Sequence, residues 1–186
     1  MLITGSQVRV LSRELIPTHI ALLRAVNVGG TGKLPMAELR ALCAKAGLKA
    51  VRTYIASGNV VGASPLASAA IKARLEKALL RRLGKPCRVL VRSLAELEAV
   101  ERRNPFPDAP PGYLLVIFLD EAPPKSSLKA VRIPGKERLT LIGRELYIHY
   151  PDGMGKSRLR TPLADIGTGR NLNTVRALIA MANGDA

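Results

Sequence analysis

"AVRTYIASGNVVGA", residues 50–63, holds two short strands and the turn between them. Ala50–Ala56 and Asn59–Ala63 are rich in β-branched residues, and Ser57-Gly58 between them suits a hairpin. In the first run Thr53 and Ile55 alternate with Arg52 and Tyr54 across the strand. Upstream, "THIALLRAV" (18–26) is an apolar strand followed by glycines. "LPMAELRALCAKAG" (34–47) is a helix: Pro35 sits at the first turn, Met36, Leu39, Leu42, Cys43 and Ala46 recur at helical spacing, and Gly47 stops it. Downstream, "SPLASAAIKARLEKALLRRLG" (64–84) is the longest helix, with Ser64 as cap, Pro65 at its start and Gly84 at its end. Its buried stripe is Ile71, Leu75, Leu79 and Leu83. "PCRVLVR" (86–92) is a strand. The order strand, helix, strand, strand, helix, strand is the split βαβ, or ferredoxin-like, arrangement. It predicts an α+β fold with a four-stranded antiparallel sheet and both helices on one face.

Beyond it, "SLAELEAVERR" is a helix capped by Ser93, with Glu96 at capping-box spacing. "NPFPDAPPG" is a proline-rich connector. Then come the strand "YLLVIFL", a short helix "PPKSSLKAV", the hairpin "RLTLIGRELYIHY" turning at Gly143-Arg144, and helices near 157–165 and 173–183. That order, strand, helix, strand, strand, helix, helix, echoes most of the first half without a matching sequence period. The expected organisation is a variable extension (1–16), a ferredoxin-like α+β domain (17–93), a helix and connector (94–112) and a second, smaller α+β domain (113–186).

Of 186 residues, 47% are hydrophobic, enough for a packed core. The longest apolar run, Tyr113–Leu119, is far short of the ~20 residues of a membrane-spanning helix. The opening "MLITGSQVRVLSRELI" has no long apolar stretch or small-residue cleavage site, so a secretory signal is not expected. Cys43 and Cys87 form no Cys-x-x-Cys or Cys/His cluster; they read as buried, reduced cysteines of a cytosolic protein, with no metal and no cofactor expected.

The net charge is +15, unevenly spread. Residues 1–93 carry 16 Lys/Arg against 3 Asp/Glu, a balance of +13; residues 94–186 carry 13 against 11, a balance of +2. Such a field attracts anions, nucleic acid first among them. Arg74, Lys77, Arg81 and Lys85 follow one face of the long helix by steps of three and four and suit a phosphate backbone; a solvated helix face is the plain alternative. The first and third strands lack the aromatic rings with which an RNA-recognition sheet stacks bases.

"RAVNVGGTGKLPMAELRAL" (24–42) has the look of a phosphate loop. Aligned on Gly32-Lys33, however, a Walker A loop would need glycine at Asn27 and a hydroxyl at Leu34. A dinucleotide Gly-x-Gly-x-x-Gly fails at Pro35. Arg24, Asn27, Gly29, Gly30 and Lys33 remain candidate ligands for a carboxylate or phosphate. Ser57 and Asn59 belong with them, because the ferredoxin-like order brings this loop and the hairpin turn to one sheet end. In "LYIHYPDGMGKSRLRTPL", Lys156, Ser157 and Arg158 stand at an expected helix start, a second anion site. His149 is a candidate proton shuttle and His19 a weaker one. In "TGRNLNTVRALIAMA", Arg170 and Asn171 are polar groups at a helix entrance; Asn171 or Asn173 can cap it.

Four stretches, "ALLRAVNVGGTGKLPMAELRAL", "VRTYIASGNVV", "LYIHYPDGMGKSRL" and "GRNLNTVRALI", together resemble the bacterial domain-of-unknown-function family 1697, in order from residue 20 to about 180. Leu172 stands where the family usually shows tryptophan. The resemblance implies an α+β protein with a ferredoxin-like half, and no activity. The functional expectation is a binding module for an anionic ligand, with nucleic acid or a small anion as partner and no membrane. The alternatives are an enzyme acting on a small phosphorylated or carboxylated metabolite, which lacks a visible general base, and a protein-interaction scaffold.

Overall fold

The hairpin forms around its glycine. The computed structural model describes residues 16–27 and 33–185; the extension through residue 15 and the glycine-loop candidates Gly29 and Gly30 lie outside the described residues. β2 (Lys49–Tyr54) and β3 (Asn59–Ala63) pair antiparallel, with Arg52 opposite Val61 and Tyr54 opposite Asn59. Gly58 turns the chain at φ +76°, and a Cβ there would fall 2.7 Å from Leu23 Cβ. Both facts demand glycine.

β1 (Thr18–Leu23) lies between β3 and β4 (Val89–Ser93), antiparallel to both, so the sheet runs β2-β3-β1-β4. Strand alternation sends Ala21, Leu23, Val60, Val89 and Val91 to one face, where they meet Leu39 and Cys43 of α1 (Met36–Lys45) and Ile71, Leu75 and Leu79 of α2 (Ser68–Leu83). Each such leucine, fully buried, contributes roughly 1.5–3 kcal/mol. Gly84 closes α2 in the left-handed region at φ +68°. The start of α2 differs from the expected Ser64-Pro65. Buried Ser64 closes a local turn instead, its Oγ accepting from Leu66 N–H at 3.2 Å, and the chain becomes helical only after Ala67. His19 spans this entrance, with Nε2 3.2 Å from the Ser64 carbonyl and Nδ1 3.2 Å from Ser68 Oγ.

α3 (Leu94–Arg102) starts at the expected capping box. Ser93 Oγ accepts from Glu96 N–H at 3.2 Å, and the Glu96 carboxylate accepts from Ser93 N–H at 2.7 Å. β5 (Leu114–Phe118), β6 (Arg138–Ile142), β7 (Glu145–His149) and β8 (Thr168–Asn171) make a second antiparallel sheet, ordered β6-β7-β5-β8. β8 corrects the expectation of two consecutive helices. Residues 157–162 are not helical, α4 is only Leu163–Ile166, and "TGRN" is the fourth strand. Its inward positions, Thr168 and Arg170, are polar, so no apolar alternation announces it. The segment expected as a short helix is a 3-10 turn, Lys125–Ala130. α5 (Leu172–Asn183) is capped by Asn171, whose Oδ1 accepts from Thr174 N–H at 2.9 Å.

The two sheets therefore share one strand order, and each ends in a strand that runs directly into a helix. Their inner faces meet α3 and α5 in one core: Ile20, Leu22 and Leu90 from the first sheet, Val116, Phe118 and Tyr147 from the second, and Leu97, Val100, Leu172, Val175 and Leu178 from the helices. Leu172 is 1% exposed, so the leucine fills packing space. The outer face of the second sheet, with Ile117, Leu146 and Ile148, packs under Leu128, Leu159 and Leu163. The α1–α2 layer and the Leu128–Leu163 layer thus lie on opposite sides of the molecule.

Candidate anion-binding site

The end of the first sheet gathers several sequence candidates. Asn27, at φ +59°, donates from Nδ2 to the carbonyls of Leu34 and Ala56, both at 3.0 Å, while its Oδ1 accepts from Leu34 N–H at 2.7 Å. One side chain thereby clips the two ends of the glycine loop and ties them to the hairpin. Leu23 N–H donates to the Gly58 carbonyl at 2.8 Å. Asn59, fully buried, donates to the Tyr54 carbonyl at 3.0 Å and to Ser57 Oγ at 2.9 Å.

Arg170 reaches into this cluster from β8. Its Nη2 donates to the carbonyls of Leu23 (2.8 Å) and Ser57 (3.0 Å), its Nε to Asn59 Oδ1, and its Nη1 to Thr168 Oγ1 and the Gly169 carbonyl, both at 2.8 Å. All five guanidinium N–H groups are occupied by the protein itself. Burial pulls its pKa down to about 10, so it stays charged near pH 7. Arg92 is the mirror of this contact. It too is the penultimate residue of a last strand, one before a helix cap, and it reaches the opposite way. Its Nε and Nη2 donate to Glu145 Oε1 at 3.1 and 3.0 Å, and its Nη2 donates to the Leu119 carbonyl at 2.6 Å. Glu145 opens β7 as Asn59 opens β3. Each half thus locks the other through one buried arginine.

The free cations lie elsewhere. Arg74, Lys77 and Arg81 of α2 face Lys45 of α1 across a groove of about 460 Å³, with Arg82 at its edge. Arg82 is paired with Glu38. Among the described residues, Lys45, Arg74, Lys77 and Arg81 make no ion pair. Lys45 was not legible as a partner, because it sits on the other helix; its place in the last turn of α1 was the available signal. Lys85 leaves this face. It lies past the end of α2 and lines a second cleft, about 300 Å³, with Arg24, Cys87 and Arg88. Lys33 is exposed beside the loop.

A sequence profile described as a protein of unknown function, DUF1697, matches residues 16–147. The chain belongs to the DUF1697 family. A solved structure, that of a conserved bacterial protein from Streptococcus pneumoniae, is similar to it with a TM-score of 0.74 and 22% identity, over 90% of this chain and 99% of that one. That similarity concerns the fold alone. No curated protein matches.

The remaining candidates of this DUF1697 chain sit at the far side. Lys156 ends a 3-10 turn (Met154–Lys156), and since no helix begins at Ser157 or Arg158, the expected helix-terminus field is missing there. Ser157 donates to Glu137 Oε1, which holds that carboxyl below its usual range, and its Oγ accepts from Leu159 N–H at 3.0 Å. Lys156, Ser157 and Arg158 line a cleft with Lys136, Glu137 and Asp152, apart from the Arg24 cleft. His149 packs on Phe106, with Nδ1 3.2 Å from Arg138 Nη2; burial and then the Arg138 charge lower its pKa. Burial pushes the Cys43 thiol up to about 12 and raises Cys87 as well, which makes both poor nucleophiles. Among the described residues no group of three or more His, Cys, Asp or Glu is placed to hold a metal ion, and no helix is long and apolar enough to cross a membrane.

Proposed function

We propose that this protein is a cytosolic bacterial binding module for an anionic ligand, and that the ligand is nucleic acid held through the basic first half. The observation that carries this is the α1–α2 groove, where Lys45, Arg74, Lys77 and Arg81 line one concavity without a carboxylate partner among the described residues. Unpaired cations cost folding free energy through mutual repulsion, which a row of phosphates would relieve. We also infer that the first half is a ferredoxin-like domain; the order β2-β3-β1-β4 with α1 and α2 on one face supports it. Fluorescence anisotropy with labelled DNA and RNA over a salt series tests the function. Binding should tighten steeply as salt falls. No binding at low salt, or binding without a salt slope, would reject it.

A second reading, capture of a small phosphorylated or carboxylated metabolite, draws on the cleft that joins Arg24, Lys85 and Arg88, whose volume of about 300 Å³ suits such a ligand. A thermal-shift screen of anionic metabolites tests it: a true ligand raises Tm at concentrations well above Kd, and Arg24→Ala removes the rise.

A further inference from the structure

We propose that the second half carries a nucleic-acid groove of its own, on the face opposite the α1–α2 groove, so that one chain bridges two nucleic-acid segments. The proposal rests on the nucleic-acid reading above. The balance of +2 in the second half conceals a local excess: residues 125–160 hold 9 Lys/Arg against 3 Asp/Glu. Within that span Arg132 and Arg160 form an isolated antiparallel bridge, exchanging N–H···O bonds of 2.9 and 3.1 Å. Directly opposed residues in such a pair point to one side, and like charges there repel. Both arginines are exposed, and among the described residues neither makes an ion pair.

They line a cleft of about 370 Å³ whose wall also includes Thr161, Asp165 and Tyr150. Its floor is Leu115 and Ile117, on the outer face of the second sheet. The strand order of the two sheets makes this the counterpart of the α1–α2 groove. In each half the groove lies between the connector after the first strand and the connector before the last. The α3–α5 core separates the two outer faces, so the grooves point away from each other. A two-arginine bridge fits two backbone phosphates, and Tyr150, 8% exposed, offers no stacking platform. The expected contact is with the backbone and independent of sequence.

A two-duplex capture experiment tests this. A biotinylated DNA duplex on beads is loaded with the full-length protein at low salt and washed, and a fluorescent duplex is added. Wild type should retain the fluorescent duplex. Arg132→Ser/Arg160→Ser should load the beads normally yet retain at least about tenfold less, while Arg132→Lys/Arg160→Lys, which keeps the charge, should retain it as wild type does. Protein on the beads without capture of the second duplex overturns the bridging proposal and leaves single-site binding standing. Undiminished capture by a folded serine variant also overturns it, since bridging would then come from self-association. Failure to load the beads at all rejects this proposal together with the reading beneath it.

Discussion

The first half covers the outer face of its sheet with helices of 10 and 16 residues; the second covers the same face with a 3-10 turn and a four-residue helix. The strand orders are the same, so the difference lies in the connectors. Long helices place cations at fixed steps along a groove. Short connectors leave two arginines opposed on an isolated bridge. The polar locks between the halves differ in the same spirit. Arg92 reaches a carboxylate in the second half, whereas Arg170 reaches only neutral oxygens in the first. One backbone plan thus tolerates a version of the same contact with an ion pair and a version in which a buried cation meets only neutral acceptors.

Breaking the charged lock should do the most damage. Arg92→Met takes away the hydrogen bonds of the buried Glu145 carboxylate and leaves it, among the described residues, only Arg144, 4.0 Å away, so a cost toward the lower end of roughly 3–5 kcal/mol is expected. Urea unfolding should show it, and Arg92→Met/Glu145→Leu should recover the part of the loss that comes from the stranded carboxylate, because an apolar pair replaces a buried ion pair at little cost, while the Leu119 carbonyl stays without its Arg92 donor. Arg170→Met strands neutral acceptors and no charge, so about 2–3 kcal/mol is expected, with no rescue from Asn59→Leu, since the Leu23 and Ser57 carbonyls stay orphaned. Equal losses at the two sites would show that the carboxylate adds nothing.

The two hairpin turns sharpen the comparison at smaller scale. Gly58 and Gly143 both have positive φ, +76° and +60°. A Cβ at Gly58 meets Leu23 Cβ at 2.7 Å; at Gly143 it meets nothing nearer than a Glu145 carboxylate oxygen at 3.9 Å. Gly58→Ala should therefore cost about 2 kcal/mol or more and Gly143→Ala about 1 kcal/mol, read as shifts of the urea midpoint. The smallest expected effect is that of His149. Its pKa in the folded state lies below the usual 6.5, so the unfolded chain takes up the proton first. Its contribution is full above pH 6.5 and is lost as pH falls through the folded value. Unfolding midpoints at several pH values should fall in mild acid for wild type and fall less for His149→Gln.

These elements also mark what the amino-acid order reveals. The β2–β3 hairpin, the Ser93–Glu96 capping box and the Asn171 cap are local, so neighbouring residues announce them. Strand β8 is not local: Thr168 and Arg170 face inward because their partners lie over a hundred residues away, and nothing within "TGRN" signals that. The false start of α2 has the same origin, since Ser64 is a good cap by type but is buried in a turn beside His19. Of the candidate site, the meeting of Asn27 with the hairpin followed from topology. The place of Lys45 in the groove, the departure of Lys85 from it and the Arg132–Arg160 bridge required the packing of distant elements.

The central claim is that unpaired cations of the α1–α2 groove bind a phosphate backbone. It is tested most directly by the salt dependence of duplex affinity for wild type and Arg74→Ser/Lys77→Ser/Arg81→Ser, measured by anisotropy. The three exposed substitutions should leave the unfolding midpoint near wild type and lower the slope of log Kobs against log salt by about 2–3, since each phosphate left without its cation removes about 0.9. An unchanged slope in a folded triple variant would contradict the account.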